Sequence, residues 1–135
     1  MLLALEKYYR GNEQYVFPSF GGALRIPLSS SDNREEFILD ISRTTISLKN
    51  KFQTRARKTI VLVRIDIGGP SHRNPDDTEI PCPHIHFFKE GFADKWAYPL
   101  ASHFKNTTDI ASILREFMDF CAVIAKPNIQ VELFG

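Results

Sequence analysis

Cysteine is scarce in this sequence, with Cys82 and Cys121 the only two in 135 residues. That excludes a disulfide framework or a four-thiolate zinc site and leaves reduced thiols as the default. Long hydrophobic runs are missing too. No segment approaches the ~18 apolar residues of a membrane span. Met1-Leu2-Leu3-Ala4-Leu5 is cut short by Glu6, Lys7 and Arg10, whereas a signal peptide puts its charge before its apolar run. A soluble, cytoplasmic protein is expected, with no membrane partner. Charge of one sign is also lacking: seventeen basic residues against sixteen acidic give a formal net charge of +1. Any surface for nucleic acid or for an acidic partner must therefore be local. Gly21-Gly22 and Gly68-Gly69 read as turn pairs and not as a phosphate-cradling loop. With no internal repeat and no linker, residues 1–135 read as a single domain, and 43 % hydrophobic content suffices for its core.

What is present is mostly period-two alternation. Residues 1–10 suit a short N-terminal helix, with Leu2, Leu5 and Tyr9 near one face and Gly11-Asn12 as the stop. Gln14 to Phe17 and Ala23 to Leu28 are short extended runs around a Pro-Ser-Phe-Gly-Gly turn. A three-stranded meander follows over Phe37 to Ser42, Ile46 to Arg55 and Thr59 to Ile67. In its second strand Ile46, Leu48 and Phe52 take one face, while Ser47, Lys49, Lys51, Gln53 and Arg55 take the other. The third strand is apolar on both sides for much of its length and should be central, so Arg64 and Asp66 within it need partners. Ile110, Ile113, Leu114, Phe117, Cys121 and Ile124 recur at helical spacing, which predicts a long helix over Thr108 to Ala125. Pro127 stops it, and Ile129 to Phe134 alternates as a last strand. The fold class is α+β: a predominantly antiparallel β-sheet of about five to seven strands, packed by one long C-terminal helix and a short N-terminal helix.

Polar chemistry concentrates in His72 to Leu100, which holds three of the four histidines and the only tryptophan. Asn74-Pro75-Asp76-Asp77 makes a turn, and Pro81 and Pro83 lead rigidly into a strand, His84-Ile85-His86-Phe87-Phe88. Alternation puts His84, His86 and Phe88 on one face. A turn through Lys89-Glu90-Gly91-Phe92 returns the chain along Lys95 to Leu100, where Trp96 points opposite Lys95 and Ala97, into the helix-covered core.

This density predicts that His72, His84, His86, Glu90, Asp94 and Lys95 converge on one polar cleft. Three chemistries suit such a set. Two histidines at i and i+2 on a strand, with a third from a loop and Glu90 or Asp94, can meet a divalent metal. Without any cofactor, His84 or His86 can act as a general base, with Lys95 or Arg64 steadying an anion, as in metal-independent RNA cleavage. The same residues also suit a hydrogen-bonded network that only rigidifies the sheet. Cys82, flanked by prolines and close to a histidine, is a further nucleophile candidate, although no helix N-terminus is there to lower its pKa. Arg43, Lys49, Lys51, Arg55, Arg57 and Lys58 are the one concentration of positive charge and could follow an RNA backbone, though a solvated sheet face explains the same alternation. Phe87, Phe92 and Trp96 can stack bases or simply pack the core. Truncating His84 should remove chemistry at modest cost in stability, whereas a buried Trp96 should be worth about 3–5 kcal/mol.

The strings His72 to Asp76, Pro81 to His86 and Asp94 to Leu100 resemble those of a small bacterial family of unknown function found also in mobile elements. The Pro-His-x-His lead-in looks like that of small toxin–antitoxin partner domains. The resemblance implies a bacterial or phage origin and brings no activity with it. Two functions are expected from residues and resemblance together. The first is a toxin-type RNA-cleaving enzyme using cleft histidines. The alternative is a non-enzymatic protein-binding module of a mobile element, either a toxin–antitoxin partner or an anti-defence protein.

Overall fold

Pairing of the alternating runs builds the frame. The computed structural model describes residues 2–46 and 49–131. Its strands are β1 (Lys7–Tyr8), β2 (Gln14–Val16), β3 (Ala23–Ser29), β4 (Glu36–Arg43), β5 (Asn50–Ala56), β6 (Ile60–Ile67), β7 (His72–Arg73), β8 (Glu79–Ile80), β9 (His84–Phe87), β10 (Ala97–Pro99), β11 (Val123–Ala125) and β12 (Asn128–Gln130), with one α-helix, α1 (Ile110–Phe120). Eight of the strands form one sheet in the order β10-β9-β6-β5-β4-β3-β1-β11. All its pairs are antiparallel except β1 with β11. No helix among the described residues is long and apolar enough to cross a membrane.

Register decides what each face carries. Leu24, Ile41, Phe52, Ile65 and Ile85 line up across five strands, and so do Ile26, Leu39, Thr54, Val63 and Phe87. These rows meet α1, which buries Ile113, Leu114, Phe117 and Met118 against them. Phe17, Phe52 and Phe117 stack in series with ring centroids 6.1 Å apart at each step. The intervening residues make two rows on the opposite, open face: Arg25, Asp40, Gln53, Arg64 and His86, and Ala23, Ser42, Lys51, Asp66 and His84. Polar residues of the strands thus share one side because the side-chain period is two.

Several expectations are corrected. The N-terminal segment forms no helix: Lys7 and Tyr9 bond through their backbone N–H groups to Ala122 and Ala125 in the β11 region, each at 2.8 Å. The Lys7 ammonium, fully buried, donates to the carbonyls of Leu3, Leu5 and Cys121, which an N-terminal helix could not present to it. The principal helix is shorter than Thr108 to Ala125. Asp109, not Thr108, caps it by accepting from Ser112 N at 3.0 Å. It stops after Phe120, where Ala122 takes a left-handed φ of 59°, and Ile124 goes into β11 and is exposed. The strand expected from Ile46 begins at Asn50, with Ile46 in an exposed turn, and Ser47 and Leu48 lie outside the described residues. The last strand ends at Gln130, and the expected stretch 132–134 lies outside the described residues. Phe88 falls beyond β9 and lines a surface groove with Leu2, Leu3, Ile60 and Leu62. Trp96 precedes β10 and is only half-buried, away from the helix, with the Lys89 ammonium 4.7 Å from its ring.

Candidate functional site

The open face is closed at one end by two loops that dock on polar atoms. Asn74 donates to the Ala97 carbonyl at 3.0 Å and accepts from Ala97 N at 2.8 Å, so its side chain substitutes for a strand partner on β10. His72 Nε2 donates to the Lys95 carbonyl at 2.6 Å. Beneath these clamps lie Asp66, His84 and His86, at 2 %, 2 % and 0 % exposure.

Asp66 is the hub. Its Oδ2 accepts from His84 Nε2 at 3.0 Å and from Arg64 Nη2 at 3.1 Å. Lys49 Nζ stands 3.3 Å from Oδ1, within ion-pair distance although Oδ1 has no aligned hydrogen bond. Burial pushes the Asp66 carboxyl up, but the His84 donor, the His86 ring 3.3 Å away and the charges of Arg64 and Lys49 outweigh it and hold the group well below the usual carboxylate range. Gly69, beside Lys49, is required by its backbone conformation and not by space. It has φ +90°, and a Cβ there would sit 3.4 Å from the Lys49 side chain.

Partners also fix the proton positions. His86 Nδ1 faces the Asp94 carbonyl at 2.8 Å, which can only accept, and Nε2 faces Arg64 Nη2 at 2.9 Å, which can only donate. Asp66 Oδ2, which accepts, lies farther from the same nitrogen, at 3.3 Å, so the shorter contacts favour a neutral His86 with its proton on Nδ1, in keeping with burial, which lowers its pKa against the opposing pull of Asp66. His84 Nε2 carries the proton shared with Asp66, which leaves Nδ1 in the neutral ring as an acceptor, 3.5 Å from Cys82 Sγ. Cys82 is half-buried and its Sγ also lies 3.5 Å from the Pro70 carbonyl. Burial and the Asp66 charge raise the Cys82 thiol, so it rests protonated. Cys121 is a structural contrast: wholly buried, it accepts from Thr54 Oγ1, and burial pushes it up to about 12.

Of the residues the sequence singles out, the structure brings His72, His84, His86 and Asp94 together. The ring centroids of His72 lie 4.6 Å from His86 and 6.0 Å from His84, and Asp94 meets Arg64 Nη1 at 3.1 Å. Glu90 lies in the exposed turn beside Phe88, and Lys95 contributes its carbonyl while its side chain is exposed. The basic residues are dispersed. Arg43 holds Asn50 and the Pro18 carbonyl, Arg57 pairs with Glu35, Arg55 grips Asp40 at 2.6 and 3.1 Å, and Lys49 belongs to the Asp66 centre. Lys51 and Lys58 line two separate cavities. Asp66 and Arg64 as hub and clamp were signalled only as charges in an apolar strand. The place of Lys49 depends on register and had no local signal.

Asp66, His84 and His86 offer ligand atoms all within 4.8 Å of one another and could hold a metal ion. The chemistry of the donor set argues for another occupant. Arg64 Nη2 lies 2.9 Å from His86 Nε2 and 3.1 Å from Asp66 Oδ2, so a guanidinium already meets two of the three ligand groups. A dication there would also meet the charge of Lys49.

Burial reverses one stability expectation. His84→Ala removes a buried imidazole bonded to a charged carboxylate and should cost about 2–3 kcal/mol. Trp96→Ala removes a half-buried ring and should cost roughly half the 3–5 kcal/mol of a fully buried one. Urea unfolding of the two variants side by side checks the order.

The chain belongs to a family of unknown function, DUF6978, whose model matches residues 1–123 and so spans the whole of this centre. No curated protein and no solved structure matches the chain.

Proposed function

We propose that the protein is a cysteine-dependent hydrolase of activated carboxylic-acid derivatives, with Cys82 as nucleophile, His84 as general base and Asp66 as the group that orients and charges it. The observation that carries this reading is the line Cys82 Sγ, His84, Asp66, with 3.5 Å from sulfur to Nδ1 and 3.0 Å from Nε2 to Oδ2. A nucleophile bonded to a base, and the base bonded to a buried carboxylate, is the arrangement acyl transfer needs. Burial of His84 and Asp66 behind a half-exposed sulfur is compatible with it, because only the sulfur must reach substrate. As Cys82 Sγ attacks the carbonyl carbon, its proton moves to His84 Nδ1, and Asp66 stabilises the imidazolium that forms. The Lys49 ammonium stands at the same centre to balance the developing oxyanion. His84 then gives the proton to the leaving group. Water, deprotonated by His84, cleaves the acyl-enzyme and restores the thiol.

Acid-quenched incubation with a short chromogenic thioester tests this. Intact mass should show one acyl adduct, mapped to the peptide containing Cys82. Cys82→Ala should abolish it, and His84→Gln should slow its formation by about 10²-fold or more, the usual weight of a general base. An unlabelled Cys82 in folded protein would sink the proposal.

RNA cleavage by cleft histidines is a second reading, favoured by His72. It is half-buried, its ring edges onto His86 at 4.6 Å, and its Nδ1 has no hydrogen-bond partner among the described residues. That nitrogen is a free base for a ribose hydroxyl. Single-stranded RNA incubated with the protein, with and without chelator, separates the readings. Cleavage lost in His72→Ala and kept in Cys82→Ala favours the nuclease. If neither RNA nor thioester is consumed, the protein-binding module of a mobile element is the reading that remains.

A further inference from the structure

We infer that the substrate is an acyl thioester whose leaving thiol carries a nucleoside phosphate at its far end, laid across the open face from Cys82 to Tyr9. This rests on Cys82 as the nucleophile and adds what lies beside it.

Beyond the loops that cover His84 on β9 and Asp66 on β6, the same row of the open face continues through Lys51 and Ser42 to Ala23 on β3. Four strand spacings make that path about 19 Å long. Over its far half, on β5, β4 and β3, a cavity of about 370 Å³ is lined by Arg25, Asp40, Ser42, Lys51, Gln53 and Arg55. Its only carboxylate is spoken for: Asp40 accepts from Arg55 at 2.6 and 3.1 Å and from Gln53 at 2.9 Å. Lys51 has no carboxylate within ion-pair distance among the described residues, and the Arg25 side chain is 74 % exposed with its Nε 3.8 Å from Asp40. The cavity therefore presents surplus positive charge on Arg25 and Lys51, which suits phosphate oxygens.

Arg25 also lines the next cavity, of about 550 Å³, which continues over Tyr9, Tyr15, Pro27, Ile38 and Lys58. Its walls combine apolar side chains with Arg10, Glu13 and Glu36 and with two half-buried tyrosine rings that pack edge to face on each other, their hydroxyls 3.3 Å apart. That is a slot for a planar, aromatic group beside the phosphate seat. An acidic peptide would use the cations and leave this slot unfilled. Single-stranded RNA would use both and offer Cys82 no electrophilic carbon.

In the reaction, a bond from Cys82 Sγ to the carbonyl carbon forms and the bond from that carbon to the leaving sulfur breaks. The Cys82 proton travels through His84 to the leaving thiolate. Hydrolysis of the acyl-enzyme then returns a carboxylic acid and the Cys82 thiol, so thioester and water become acid and thiol.

The test compares kcat/KM for acetyl-coenzyme A with that for acetyl-N-acetylcysteamine, which lacks the nucleotide. The ratio should favour the former by about tenfold or more, the factor one charged hydrogen bond supplies. Lys51→Ala and Arg25→Ala should each collapse the ratio towards one, and ADP should compete with the longer substrate. Because the ratio is taken within one preparation, a partly unfolded variant does not distort it. Equal turnover of both thioesters by the unaltered protein overturns the nucleotide seat and leaves Cys82 as nucleophile. Turnover of neither overturns both. Inhibition by single-stranded RNA at concentrations where ADP has no effect assigns the face to RNA and overturns the inference.

Discussion

Asp66→Ala is expected to destabilise the protein by about 3–5 kcal/mol, the range for breaking a buried ion pair from one side. The carboxylate is 2 % exposed and is the common partner of His84, Arg64 and Lys49. Its loss leaves a guanidinium only 24 % exposed, with its remaining carboxylate on Asp94 at 3.1 Å, and strips the His84 Nε2–H of its acceptor. Neither group can turn to water without lifting the loops that Asn74 and His72 hold down. Against a total stability of about 5–15 kcal/mol this is a large fraction. Urea unfolding with an unchanged slope is the measurement. A loss under about 1 kcal/mol would mean that water already reaches the hub. Arg64→Leu with Asp66→Ala should cost less than the sum of the two single changes, since each removes the charge that the other leaves stranded.

How much of this was legible in the sequence follows from range. The meander from Glu36 to Ile67 was readable because period-two alternation is local and most open-face positions of β4 and β5 are polar, while β6 reads as a buried strand interrupted by Arg64 and Asp66. The N-terminal segment was misread because Leu2, Leu5 and Tyr9 have helical spacing, while the competing partners, the Cys121 carbonyl and β11, are more than a hundred residues away. Three histidines in one short stretch pointed to the place where the rings of His72, His84 and His86 meet. Asp66 and Arg64 were visible as charges that needed partners, but their bonding to His84 and His86 is a consequence of β6 pairing with β9. For Cys82 the sequence offers no helix N-terminus to activate the thiol. The group that meets it is instead a strand neighbour two residues on, whose second nitrogen is committed to Asp66.

Phe117→Ala is expected to cost about 3–5 kcal/mol as well, for a different reason. Helical spacing from Ile110 to Ile124 identified the apolar stripe, but spacing alone cannot say where the helix stops contributing. Phe117 is fully buried and tilted against Phe52 at 6.1 Å, so its removal opens a cavity between the only α-helix among the described residues and the centre of the sheet. Phe52 and Phe17 are themselves stacked, and the neighbouring rows are close-packed, so the void cannot collapse without moving strands. Ile124 belongs to the same sequence stripe yet is 53 % exposed in β11, beyond the turn at Ala122. Ile124→Ala should therefore change stability by less than about 0.5 kcal/mol, the usual bound for a surface position. The pair is read by urea unfolding under one set of conditions. Comparable losses in both would mean that the helix runs on to Ala125 and that β11 does not form.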